Sequence, residues 1–249
     1  MLKNMVGSLK IWGSFLIFLV LVQPAWGADY AREKRWADEV VPGILVGEAI
    51  YLQQRNGHRF LGIHAEGDQK RTGLVIVHGM GIHPDWGMIG TLRQRLNDFG
   101  YTTLSIQMPI LAKNASYHEY LAVFPEAVER LGIAVRHLKS QEYNRIVIIS
   151  HSNGSRMSRR FMTSNPPDVN AWAALSLTQG DTFTDIQAPV LDLYGEHDLE
   201  HVLASVNARR ASFMNSLSIQ RKIASADHFF AGKEDEMVIA VKEFLKKLN

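Results

Sequence analysis

A serine, an acid and a histidine lie far apart in this chain, each just beyond a run of apolar residues. Ile146-Val147-Ile148-Ile149 runs into Ser150-His151-Ser152-Asn153-Gly154-Ser155, and Val190-Leu191-Asp192-Leu193-Tyr194 ends in Gly195-Glu196-His197-Asp198. The segment from Ser218 to Ala224 leads to Asp227-His228-Phe229-Phe230. A serine hydroxyl is a poor nucleophile until a neighbouring base removes its proton. Together the three residue types supply what acyl transfer needs: Ser152 to attack, His228 to take the proton, and Asp198 to orient the ring and stabilise imidazolium. The serine must stand on a sharp strand-to-helix turn between small neighbours. Gly154 is one of them, and Ser150 stands where a second glycine is usual, so the motif reads S-x-S-x-G. Two backbone N–H groups are placed to face a developing oxyanion: that of Asn153 at the helix start, and that of Met80 in the loop His78-Gly79-Met80-Gly81.

These side chains need a scaffold that brings strand ends together. Ile44 to Gln53 and His58 to Ala65 read as two antiparallel strands joined at Arg55-Asn56-Gly57. Beyond them, the short apolar runs Leu74 to Val77, Thr103 to Gln107, Ile146 to Ile149, Trp172 to Leu177 and Val190 to Tyr194 alternate with longer segments. Near-continuous apolar strands are what a parallel sheet covered on both faces requires. Two of the intervening segments carry a 3.6-residue stripe: Phe124, Val128, Leu131, Val135 and Leu138 mark a helix over Val123 to Lys139, and Met237, Val241, Phe244, Leu245 and Leu248 mark one over Lys233 to Leu248. Strands alternating with helices imply right-handed crossovers and a doubly wound α/β sheet, whose reacting groups sit beyond the carboxyl ends of the strands.

The segments LVIVHGMG, IVIISHSNGS, VLDLYGEHD and ADHFF resemble the four signature segments of the α/β-hydrolase superfamily, across nearly all of residues 28–249. The stretch from His78 to Trp86, with Leu104-Ser105-Ile106-Gln107-Met108-Pro109 downstream, resembles a group of exported bacterial α/β-hydrolase-like proteins of undefined function. The resemblance implies a mostly parallel sheet of about eight strands flanked by helices. The short connection from Leu177 to Pro189 leaves no room for a cap domain. The resemblance also implies a serine hydrolase acting on small-molecule esters or related acyl compounds, with no cofactor and no metal. The alternative is a catalytically silent binding or scaffolding protein of the cell envelope, since fold alone does not establish activity. Hydrogen-bond reach among Ser152, His228 and Asp198 separates the two.

Other candidates have plainer readings. Asp192, inside a strand, reads as a structural hydrogen-bonder, and Asp181 lies in the preceding loop. His197 and His201 flank Asp198 and compete with His228 for the role of base. The cluster Glu196, His197, Asp198, Glu200 and His201 lacks a companion ligand pair at zinc spacing. His83, Trp86, Gln107, His151 and Gln179 are candidates for lining the pocket. Asp85, with Pro84, competes as a cap for the following helix, and His151 doubles as packing under the turn. Arg156, Arg159 and Arg160 fall at i, i+3 and i+4 and read as a solvated basic face.

Composition narrows the function further. The chain has 249 residues, 46% of them hydrophobic, a formal charge of +2 and no cysteine. It is too apolar for a disordered chain, offers no concentrated basic footprint for nucleic acid, and carries neither disulfides nor a catalytic thiol. Both surplus charges belong to Lys3 and Lys10, ahead of the apolar run Ile11 to Val22 and Pro24-Ala25-Trp26-Gly27. That order describes an export signal over residues 1–27 with a cut before Ala28. Membrane contact then arises only if the segment stays uncleaved. Residues 28–249 read as a single, periplasmic or secreted domain without net formal charge.

Overall fold

The apolar runs form strands because alternate residues are buried on opposite faces of one sheet. Val75 and Val77 face one helical layer, whereas Leu74 and Ile76 face the other. The computed structural model describes residues 27–248 apart from 70, 165, 167 and 179. Residues 1–26 of the segment read as an export signal, and the pocket candidate Gln179, lie outside the described residues.

In chain order the elements are α1 (Tyr30–Val40), β1 (Glu48–Gln53), β2 (Arg59–Ala65), β3 (Thr72–Val77), α2 (Gly87–Asp98), β4 (Thr102–Ile106), α3 (Phe124–Ser140), β5 (Arg145–His151) and α4 (Asn153–Met162). There follow β6 (Ala171–Leu175), β7 (Val190–His197), the short α5 (Glu200–Leu203) and α6 (Val206–Ala211), β8 (Ile219–Asp227) and α7 (Glu234–Lys247). The eight strands form one sheet in the order β1-β2-β4-β3-β5-β6-β7-β8. β2 pairs antiparallel with β1 and β4, and every other pairing is parallel. The carboxyl ends of β3, β5, β7 and β8 therefore share one edge, where the candidate residues are found.

One face of the sheet is covered by α3 and α4, with Leu131, Val135, Leu138 and Phe161 on Ile146, Ile148 and Trp172. The other carries α2 and α7, with Leu92, Leu96, Val241 and Phe244 on Val147, Ile149 and Leu191. Each such side chain contributes about 1.5–3 kcal/mol on full burial.

Three details depart from the sequence reading. The first strand begins at Glu48 rather than Ile44, because the chain leaves a 3₁₀ turn over Val41–Gly43 and reverses at Gly47, whose φ is 82°. β6 ends at Leu175, where Ser176 takes φ 52°. Helix α1 was not anticipated; Asp29 caps it by accepting the Arg32 N–H at 2.9 Å, and Ala37 packs against Leu61 and Ile63 of β2.

Candidate active site

β5 delivers Ser152 onto a turn with φ 54° and ψ −125°, and α4 starts at the next residue. A non-glycine residue held there stores about 1–3 kcal/mol of strain. Its surroundings hold it in place. The Ser152 N–H donates to the Leu175 carbonyl at 2.9 Å. Gly154 must lack a side chain, since a Cβ would fall 2.2 Å from the His78 carbonyl oxygen. Ser150 does not disturb the turn, because its buried hydroxyl has polar partners. It accepts from the Trp172 indole N–H at 2.8 Å and donates to Ser155 Oγ at 3.2 Å.

Ser152 Oγ lies 2.9 Å from His228 Nε2, and His228 Nδ1 lies 2.6 Å from Asp198 Oδ1. A bulge achieves this meeting: β7 and β8 pair Gly195 with Ile223 and next His197 with Asp227. The extra β8 residues include Ser225 at φ 57°, and the detour carries His228 over Ser152. Burial opposes charge on Asp198, but hydrogen bonds from His228, Ser176 and the Leu199 N–H outweigh it and hold the carboxyl below its ordinary range. An anion at Asp198 places the ring proton on Nδ1 and leaves the Nε2 lone pair facing Ser152. The ring is also braced. His151, buried and pushed down to about 4 by that burial, is neutral and donates from Nε2 to the His228 carbonyl at 2.8 Å.

Ser176 is a part of this arrangement that sequence reasoning missed. Its buried hydroxyl donates to Asp198 Oδ2 at 2.6 Å, opposite the oxygen that His228 uses. It is the residue after β6 and in the sequence lies inside the apolar run Trp172 to Leu177, so no strand-end signal set it apart.

β3 ends in the loop that passes over the nucleophile: a Cβ on Gly79 would stand 3.2 Å from Ser152 Cβ. No described residue takes up the Met80 or Asn153 N–H. Both residues line a cavity of about 840 Å³ beside Ser152, together with Ile82, Tyr117, Leu199 and Phe229. Met80, Leu199 and Phe229 are 40%, 44% and 41% exposed, so the mouth is open and apolar. The inner polar wall is Tyr117, whose hydroxyl is hydrogen-bonded to that of Thr178.

The remaining candidates separate. His151 lines the cavity, as does His201, whereas His197 is exposed. His83, Trp86 and Gln107 do not line it. His83 packs edge-on to Trp36 and accepts the Asp85 N–H, and Trp86 stands behind Phe229 at 5.2 Å between ring centroids. Gln107 turns away from Ser152, because its amide donates to the Met108 carbonyl at 2.7 Å. Asp85 does not cap α2; it accepts from Arg93 at 2.6 Å. Asp192 is buried and binds Arg209 through both oxygens at 3.0 and 2.9 Å. The basic face is a correction. Arg160 is exposed, but Arg156 and Arg159 pair with Asp181 at 2.9 and 3.8 Å, and Arg156 lies over Tyr117 at 4.5 Å.

A family model described as a protein of unknown function (DUF3530) matches residues 30–129, a stretch that contains the Gly79–Met80 loop and none of Ser152, Asp198 and His228. No curated protein matches the chain. Solved structures do. The Pyrococcus furiosus esterase Pf2001 superposes with a TM-score of 0.65 at 16% identity, covering 81% of this chain and 93% of its own. A dienelactone hydrolase from Anabaena variabilis does so at 0.66 and 17%, covering 80% and 96%. XC6422 from Xanthomonas campestris, described as an α/β serine hydrolase without lid, does so at 0.65 and 15%, covering 82% and 95%. At such identities the likeness is one of fold, and the fold of this chain is that of the α/β-hydrolases without a lid.

Proposed function

We propose that this protein is an exported serine hydrolase that cleaves small esters through an acyl-enzyme, with Ser152 as nucleophile, His228 as base and Asp198 as its orienting acid. The observation that carries the reading is the unbroken line of hydrogen bonds from Ser152 Oγ through His228 to Asp198, at 2.9 and 2.6 Å. The silent alternative would be favoured by a distorted turn or a broken line, and neither is observed.

In this mechanism His228 Nε2 takes the Ser152 proton as Oγ attacks the ester carbonyl. The carbonyl oxygen becomes an oxyanion that the Met80 and Asn153 N–H groups receive. Each such donor is worth about 10²–10³ in rate. His228 then gives its proton to the departing alcohol. A water molecule repeats the sequence on the acyl-enzyme, freeing the acid and restoring Ser152. Asp198 stabilises the imidazolium in both halves. The open, largely apolar mouth suits neutral acyl groups. Export rests on Lys3, Lys10 and the apolar run after them.

A fluorophosphonate probe should label the protein at Ser152, and short acyl esters should be hydrolysed. Both activities should vanish in Ser152→Ala, a loss on the order of 10⁶ in kcat where the residue acts within a triad. A folded protein that neither labels nor turns over esters of any chain length overturns the reading.

A further inference from the structure

The polar wall of the cavity beside Ser152 has one hydroxyl proton to spare. Tyr117, half-buried, comes from the loop after β4, and Thr178, fully buried, follows β6. Both line the cavity, and their hydroxyls are hydrogen-bonded to each other. Two hydroxyls carry two protons, and the bond between them uses one. Among the described residues neither hydroxyl has a second partner. Thr178 is shut off from solvent, and a buried donor without an acceptor is costly, so its proton goes into the shared bond. The Tyr117 proton is left to point into the cavity. Burial raises the pKa of Tyr117 against the pull of Thr178 and Arg156, so the hydroxyl keeps that proton at neutral pH.

The wall behind Tyr117 is rich in donors. The Arg156 guanidinium lies over the Tyr117 ring at 4.5 Å, its Nε held by Asp181 at 2.9 Å, and its buried Nη1 meets no partner among the described residues. Asn153, three residues earlier on the same face of α4, lines the cavity too. It is fully buried, and neither its amide nitrogen nor its amide oxygen is partnered among the described residues. Because Asp181 already balances Arg156, the wall offers hydrogen-bond donors rather than an unpaired charge.

The two sides of the cavity serve different halves of an ester. The departing alcohol has to lie beside His228 Nε2, from which it takes its proton. His228 is followed by Phe229, which packs edge-on to Trp86 over the α2 and α7 layer. Tyr117 stands toward the opposite layer of α3 and α4, where Arg156 also covers Phe124. The acyl chain therefore runs toward Tyr117.

We propose that Tyr117, its hydroxyl aimed by Thr178, is a specificity residue that donates to an uncharged acceptor oxygen in the acyl chain, so that the preferred esters carry a second oxygen function there. This names a substrate class for the serine hydrolase reading above and rests on it. Tyr117 takes no part in the bond changes; it pairs with an oxygen that a plain alkyl chain lacks.

The test compares p-nitrophenyl hexanoate with analogues in which one chain methylene beyond the α carbon is replaced by a carbonyl, moved along the chain position by position. Each ratio of kcat/KM to that of the plain ester is divided by the same ratio for alkaline hydrolysis, which removes the inductive effect of the added oxygen. In wild type the best-placed ketone should be preferred about tenfold, and in Tyr117→Phe the preference should fall to within about twofold. Thr178→Val keeps the Tyr117 hydroxyl but releases its direction, and should retain a preference of about threefold. Each variant is compared with itself on two substrates, so a general loss of activity cancels. The proposal is overturned if wild type prefers no ketone, if Tyr117→Phe keeps the preference, or if a carboxylate-ended chain is preferred to the ketones. Binding tests the wall without turnover. In Ser152→Ala the best-placed ketone ester should bind about tenfold more tightly than the plain one, and the advantage should vanish when Tyr117→Phe is added. Equal affinities in Ser152→Ala overturn the proposal as well. A wild-type protein that binds with this preference yet hydrolyses neither ester instead brings down the hydrolase reading.

Discussion

Among the described residues, two clusters pair a buried acid with a histidine, and they differ in what completes them. At the carboxyl ends of the strands, Asp198 and His228 meet at 2.6 Å and the far ring nitrogen faces Ser152. Under α1, Glu33 and His58 meet at 3.2 Å, and Arg130 completes the group, 3.0 Å from Glu33 and 2.6 Å from Glu126. There the His58 ring stacks on Tyr30 at 3.6 Å, and no serine stands in reach among the described residues. The acids respond in opposite directions. Hydrogen bonds hold Asp198 below its ordinary range, whereas burial pushes Glu33 up to about 7 although Arg130 pulls it down. Residue types alone thus do not mark a reactive centre. What sets the proposed site apart is an acid held in its ionised form, which fixes the tautomer, and a lone pair turned toward a serine hydroxyl on an open cavity.

The sharpest way to break that distinction is to keep the shape of Asp198 and change its hydrogen bonding. In Asp198→Asn the side-chain amide donates to His228 Nδ1, so the ring proton moves to Nε2 and no lone pair faces Ser152. A loss on the order of 10⁴ in kcat is expected, with KM little changed. Ester hydrolysis measured beside probe labelling checks it, and a variant within tenfold of wild type would remove Asp198 from the mechanism.

Much of this centre was legible beforehand because a parallel sheet sends its strand ends to one edge. Ser152, Asp198 and His228 each follow an apolar run, so their convergence needed only the fold. The helices over Phe124–Ser140 and Glu234–Lys247 were legible for a similar reason, one apolar stripe each against the sheet. What depended on tertiary direction was not. Gln107 follows β4, and His83 and Trp86 lie in the loop between β3 and α2; all three turn elsewhere, and nothing in their spacing records a side chain's heading. Arg156 and Arg159 share a helix face that Asp181, from a different loop, converts into ion pairs. Ser176 was hidden inside an apolar run, and only its positive φ swings the hydroxyl toward Asp198.

Ser176 allows a gentler perturbation. Ser176→Ala removes one of the hydrogen bonds that hold Asp198 while leaving those from His228, Leu199 and Gly195. A hydrogen bond to a charged group is worth about 1.5–3 kcal/mol, and only part of that acts on the transition state. A kcat lowered about tenfold is therefore expected. Steady-state kinetics with a thermal melt distinguish this from unfolding, and an unchanged kcat would make Ser176 a packing residue.

A comparison of a different kind lies in stability, where the two acids give opposite pH slopes. Glu33 titrates at about 7 in the folded chain against an ordinary 4.5, so between those values the folded state binds its proton more readily than the unfolded one. Its contribution is full below pH ~4.5 and is lost as pH rises toward ~7, a change on the order of 3 kcal/mol. Asp198 runs the other way: its contribution is present above its ordinary 3.8 and is lost as pH falls through its lowered folded value. In Glu33→Gln the side chain no longer titrates. The stability difference between wild type and variant, from urea unfolding at a series of pH values, should therefore drift against wild type as pH rises from ~4.5 to ~7. Arg130, Glu126 and His58 face Glu33 in both proteins, so subtracting the curves largely removes their shared titration. Curves that stay parallel would mean that Arg130 keeps Glu33 ionised throughout, and the two clusters would then hold acids in the same state and differ only in the nucleophile.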